Sequence, residues 1–161
     1  MAKSMKQEAV CAIKSAFDEM KYIYEYQDEV SRFLIRFNLN ASIDTTSIIL
    51  IVRDNFYVAY ATVNLTVNKN IDKAYEFISR VNSNLLNGNF EFDSKTGKIR
   101  YKIFVDFGDQ IPLQNTILRT IKVAVSMLDL YIDGFLKVIT CDASAQDIID
   151  EIDAHSDGKN L

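Results

Sequence analysis

The side chains able to do chemistry in this chain are few and scattered. Two cysteines, Cys11 and Cys141, could each supply a thiolate. A thiolate nucleophile needs a base held in fixed geometry. The only histidine, His155, lies in an acidic tail where its imidazole is expected to be mobile. Glu91 with Asp93, and Asp106 with Asp109, could form acid–base pairs. Asp93 opens a turn, where a carboxylate bonds its own backbone, and Asp109 is expected at a helix start, where an anion meets the dipole. Structural roles therefore account for all four carboxylates, and the cysteines read as small buried or half-buried fillers.

Asp106-Phe107-Gly108 copies the metal-binding tripeptide of protein kinases, but the Gly-rich loop and catalytic-loop signature that give it meaning are missing. Asp153, Asp157 and Gly158 have the wrong spacing for a calcium loop, with no glutamate to close it. There is no phosphate loop, no GxGxxG and no cluster with metal-ligand spacing. No catalytic residue, cofactor or metal is expected. Tyr22, Tyr24, Tyr26, Tyr57 and Tyr60 could line a ligand pocket, although such residues also pack strands with a wet hydroxyl.

Composition limits the partners. The 161 residues are 48% hydrophobic and 25% charged, enough for one domain with a substantial core. One proline and five glycines leave little room for a linker. The net charge of −4 is concentrated after Cys141, so the preceding part is almost neutral. No basic stripe is available for a phosphate backbone, which argues against nucleic acid. The longest apolar runs, such as Ile48–Val52, are far too short for a bilayer. Charges interrupt the apolar residues of the first segment, so no signal peptide is expected. Two cysteines suit free thiols in a reducing cytoplasm, where the sequons at Asn40 and Asn64 are chance matches.

The elements follow from periodicity. Residues 4 to 20 read as an amphipathic helix with Val10, Ile13, Phe17 and Met20 on one face. Residues 21 to 27 begin a first strand. In Arg32 to Leu39, Phe33, Ile35, Phe37 and Leu39 alternate with Arg32, Leu34, Arg36 and Asn38. Ser47–Val52 reads as a strand buried on both faces, and Phe56–Thr62 as the next. Asn68 or Asn70 caps a helix through Leu85. Gly88 stops it, and a hairpin turns at Asp93–Gly97, with Ile99, Tyr101, Ile103 and Val105 on one side of its second strand. Pro112 opens a long helix over residues 111 to 139. Its polar stripe is Asn115, Arg119, Lys122, Ser126, Asp129, Asp133 and Lys137, and a second apolar flank carries Val123, Met127, Leu130 and Val138. The order implies an α+β fold: a twisted antiparallel sheet of about five strands flanked by helices. Residues 1–140 form the domain, and 141–161 a short acidic helix (Ala143 to Ile152) and a frayed tail.

The run Val81-Asn82-Ser83-Asn84-Leu85-Leu86-Asn87-Gly88-Asn89-Phe90-Glu91-Phe92-Asp93, then Gly97-Lys98-Ile99-Arg100-Tyr101, resembles the central block of the YbjN family. There a helix ending N-x-x-L-x-x-G-x-F runs into a hairpin x-D-x-x-x-G-x-I/L-x-Y/F. The long helix that follows is also similar, so the resemblance covers about residues 20 to 140. It implies the fold of type III secretion chaperones, which dimerise through a helix and a strand. The family is described as regulators of bacterial sensory transduction. It offers no functional residues to carry over, and the acidic tail has no counterpart in it.

These readings give a non-enzymatic interaction module, chaperone-like or a regulatory adaptor, with a protein partner of unknown identity. Val123, Met127, Leu130 and Val138 are the expected self-association residues of a homodimer. Phe33, Ile35, Phe37 and Tyr57 are the expected partner contacts. The alternative is a small-ligand-binding sensory domain with a tyrosine-lined pocket.

Overall fold

The structure is a computed structural model that describes residues 4–141 and 143–156. In chain order the elements are α1 (Met5–Glu19), β1 (Tyr24–Gln27), a 3-10 turn (Asp28–Val30), β2 (Arg32–Asn38), β3 (Thr45–Val52), β4 (Phe56–Thr62), α2 (Ile71–Asn84), β5 (Asn89–Asp93), β6 (Lys98–Asp106), α3 (Gln114–Thr140) and α4 (Ala145–Ser156). The fold is α+β, as the order of elements predicts. The sheet has six strands rather than about five, in the order β1-β2-β3-β4-β6-β5, and every neighbouring pair is antiparallel. The nine-residue β6 takes an inner position, and the five-residue β5 is left at the edge. A short edge strand exposes fewer unpaired backbone groups.

One side of this sheet builds the core. Phe33, Ile35, Ile48, Leu50, Val52, Tyr57, Ala59, Ala61, Phe90, Ile99, Tyr101 and Ile103 are buried there, beneath apolar faces of the helices. Ser4 caps α1 in a reciprocal box with Gln7, which satisfies two first-turn donors. Val10, Ile13 and Phe17 point inward as expected, but Met20 falls just past the helix and is 48% exposed. The Thr120 hydroxyl donates to the Thr116 carbonyl at 2.8 Å. Its oxygen is therefore free to accept from the buried Tyr57 hydroxyl at 2.9 Å, which fixes α3 over β4.

The polar stripe of α3 does more than face water. Asp129 accepts from the backbone N–H groups of Asn40 and Ala41 at 2.7 and 3.1 Å, and Asp133 from that of Ser42 at 2.9 Å. Two carboxylates thus hold the β2–β3 loop against the helix. The last helix, expected as a separate tail element, joins the same core through Ala145, Ile148 and Ile149. A Cβ at Gly134 would meet Ile148 and Ile152 at 2.8–2.9 Å, so α4 depends on the missing side chain there. The rest of the expected tail, residues 157–161, lies outside the described residues.

The segment from Asn82 to Tyr101 is a structural latch. Asn82 on α2 accepts from the Phe90 N–H at 2.8 Å and donates to the Phe90 carbonyl at 2.9 Å, pairing with the edge strand as another strand would. Phe90 stacks edge-on with Tyr101 and Tyr131. Gly88 has φ +79, and a Cβ there would lie 2.6 Å from the Lys102 carbonyl oxygen. Gly108 has φ +56 with nothing near its missing Cβ. A left-handed non-glycine residue costs about 1–2 kcal/mol. Gly108→Ala should therefore cost about that much, and Gly88→Ala clearly more, in urea denaturation. Equal losses would show that the latch tolerates a side chain at Gly88.

Candidate functional site

The residues with chemical potential do not converge. His155 sits on α4 with Nδ1 2.6 Å from the Glu151 carbonyl oxygen. Cys11 and Cys141 are both exposed rather than the buried or half-buried fillers expected, because Cys11 lies on the outer side of α1 and Cys141 just past the end of α3, and neither forms a disulfide. Asp106 ends β6 and accepts from the Gly108 N–H at 2.8 Å, which closes a turn. Asp109 precedes α3 by several residues, so it does not serve the helix start expected of it. Among the described residues no group of three or more His, Cys, Asp or Glu could hold a metal ion, and no helix is long and apolar enough to cross a membrane.

The expected contact surfaces need correction. Phe33, Ile35 and Tyr57 are buried under the helices, because their side of the sheet is the core side. Phe37 on that same face is half-buried, edge-on to Tyr22 with ring centres 5.3 Å apart. Val138 is 1% exposed, one turn beyond Gly134, where α2 and α4 close over α3. It cannot take part in self-association. Val123, Met127 and Leu130 are half-buried against the core edge. The tyrosines also fail to share a pocket. Tyr24, Tyr26 and Tyr57 face the helices, Tyr60 faces away, and Tyr22 lines a separate crevice beside α3.

The surface that sequence reasoning missed is the other face of the sheet. Across the strands, Leu34 pairs with Ile49, Ile49 with Tyr60, and Tyr60 with Lys102. The next row runs Arg32, Ile51, Val58, Phe104. Phe56 adds an aromatic ring 5.1 Å from Phe104, which is itself 54% exposed. Leu34, Ile49, Ile51, Phe56, Val58 and Phe104 thus form one contiguous apolar patch, and all six lie outside the core cluster. Ser47–Val52 is therefore not buried on both faces: Ile49 and Ile51 are only half-covered, by their neighbours on the same face. A continuous apolar run does not reveal this, but the apolar partners Leu34, Val58 and Phe104 on adjacent strands, once placed in register, do.

At one end the patch runs into a trough of about 960 Å³, lined by Arg36, Ser47, Thr62, Glu91, Lys98 and Arg100 together with the apolar Val63, Phe92 and Ile99. Glu91 receives Arg100 at 2.6 Å and Lys102 at 3.1 Å, and Arg36 reaches Glu25 at 3.2 Å. The Arg100 guanidinium also lies 4.3 Å over the Tyr60 ring. Partial burial opposes ionisation of Glu91, yet the hydrogen bonds from Lys102 and Arg100 outweigh it and hold the carboxyl below its ordinary value. Asp93 is also held low, by the Lys95 N–H and the Thr96 hydroxyl of its own turn. On the core side, burial and then the neighbouring Tyr131 push Tyr101 up to about 12, so its hydroxyl stays protonated and donates to the Asn87 carbonyl.

The trough therefore offers fixed charges and hydroxyls for recognition, and the patch offers area. No family model matches the chain, and neither does any curated protein or solved structure.

The depressed Glu91 carboxyl has a pH consequence. It contributes stability in full above its ordinary value of 4.5 and loses it as the pH falls through the lower folded-state value. Glu91→Gln should thus be less stable than the wild type at about pH 7, with the gap closing by about pH 3. Urea titrations at the two pH values check this, and a gap of unchanged size would contradict the ion-pair assignment.

Proposed function

We propose that this chain is a non-enzymatic protein-binding module of the YbjN-like, secretion-chaperone-like kind, acting in the cytoplasm as a chaperone or regulatory adaptor. It captures a segment of a partner protein on the open face of its sheet. The observation that carries this reading is the apolar patch of Leu34, Ile49, Ile51, Phe56, Val58 and Phe104 on a face that no described element covers. A contiguous exposed patch of this kind, rimmed by polar residues, marks an interaction surface.

The mechanism is desolvation at the centre and orientation at the rim. A partner's apolar side chains displace water from the patch, each fully buried one contributing about 1.5–3 kcal/mol before ordering costs. Arg36, Arg100 and Lys98 at the trough select acidic or carbonyl-rich flanks and set the direction of the bound segment. The perturbed groups support binding over catalysis: Glu91 and Asp93 are committed to strand and turn partners, and Tyr57 and Tyr101 are sealed by packing.

A photo-crosslinking residue at Ile49, in the tagged full-length chain expressed in its native host, tests the reading. We expect a discrete protein adduct at Ile49 and none at the exposed Glu8 on α1. An adduct of doubled chain mass makes the partner a second copy, whereas a different mass makes it another protein. No adduct at Ile49, or equal adducts at both positions, overturns the proposal.

A further inference from the structure

On the helical side, away from the open face, a crevice of about 350 Å³ lies between the end of α1, the following connection, β2 and α3. Its lining is apolar: Met20, Tyr22, Phe37, Leu118, Ile121 and Val125. The size falls within the range of small-ligand pockets, which combine apolar walls with a few placed polar groups. Here those groups are Arg119, Lys122 and Ser126, one turn apart along the exposed edge of α3.

The charges of α3 are otherwise all engaged. Asp129 and Asp133 hold the β2–β3 loop, and Lys137 pairs with Glu151 at 3.1 Å. Of the three cations on this helix, Arg119 and Lys122 have no ion-pair partner among the described residues. The nearby carboxylates at the end of α1 are occupied elsewhere: Asp18 accepts from the Tyr24 hydroxyl at 3.0 Å, and Glu19 from the Gln114 amide at 2.7 Å. An uncovered apolar crevice thus carries two unneutralised cations at its mouth.

We propose that this crevice binds a single-chain anionic amphiphile of the fatty-carboxylate class. The alkyl chain lies along Met20, Leu118, Ile121 and Val125 against the Tyr22–Phe37 pair, and the carboxylate meets Arg119 and Lys122. Burying each methylene contributes about 0.8 kcal/mol, or about fourfold in affinity. The cationic rim fixes the sign of the head group and the end of the chain that faces solvent.

The chain has no tryptophan, so Met20→Trp places a single fluorescent reporter at the crevice wall. In full-length protein, hexanoate, octanoate and decanoate below their micelle concentrations should shift its emission to the blue and saturate. Affinity should rise about fourfold per methylene. Decanol should bind at least about threefold more weakly, and a decyl trimethylammonium salt more weakly still. Arg119→Ala with Lys122→Ala, both exposed positions, should erase the preference for carboxylate over alcohol while leaving the circular dichroism unchanged. An emission that does not move, affinity independent of chain length, or equal binding of the cationic amphiphile each overturns the proposal. Because the crevice and the open face lie on opposite sides of the sheet, this result is independent of crosslinking at Ile49.

Discussion

The structure rests on a one-sided constraint: α1, α2 and α3 cover a single face of a six-stranded antiparallel sheet, with α4 packed on α2 and α3. An antiparallel sheet can leave one face to water when that face is polar. Here it is polar only at its margins. Arg32, Arg36, Arg100 and Lys102 flank a centre of Ile49, Ile51, Val58 and Phe104. The core on the other side already fixes the strands, so folding does not need that apolar centre. That apolar centre, outside the core cluster, is the surface on which the proposed binding role rests.

Several polar devices keep the covered side in register. The Tyr57–Thr120 hydroxyl pair sets the position of α3 along β4, while Asp129 and Asp133 draw the β2–β3 loop onto the same helix. Asn82 fastens α2 to the edge strand β5, and Gly88 lets the chain turn back beneath Tyr101. The spacing of Asn82, Gly88 and Phe90 is thus accounted for by backbone hydrogen bonds and a left-handed turn.

Much of this was legible in the residues. The alternation of Phe33, Ile35 and Phe37 gave the strand, and the 3.6 period over Ile71 to Val81 gave α2. What local pattern cannot supply is which neighbour each face meets. Phe33, Ile35 and Tyr57 look identical as partner contacts or as core until the helices are placed. Of the two expected caps, Asn70 rather than Asn68 occupies the N-cap of α2, but it is left-handed and its side chain makes no capping bond, donating instead to the Ile139 carbonyl, 69 positions away. Asp129 and Asp133 show in the sequence only as members of a polar stripe because their partners, the N–H groups of residues 40 to 42, are equally remote in sequence. The open-face patch required the register of four strands at once.

The most direct test of the central claim is methyl NMR on isoleucine-labelled protein with a soluble nitroxide, at dilute and concentrated conditions. On this account the Ile49 and Ile51 methyl signals are broadened by the probe in the dilute isolated chain, while those of Ile48 and Ile103 on the opposite face are spared. Protection of Ile49 and Ile51 equal to that of Ile48 and Ile103 at every concentration would mean that the face is already covered, and would contradict the account.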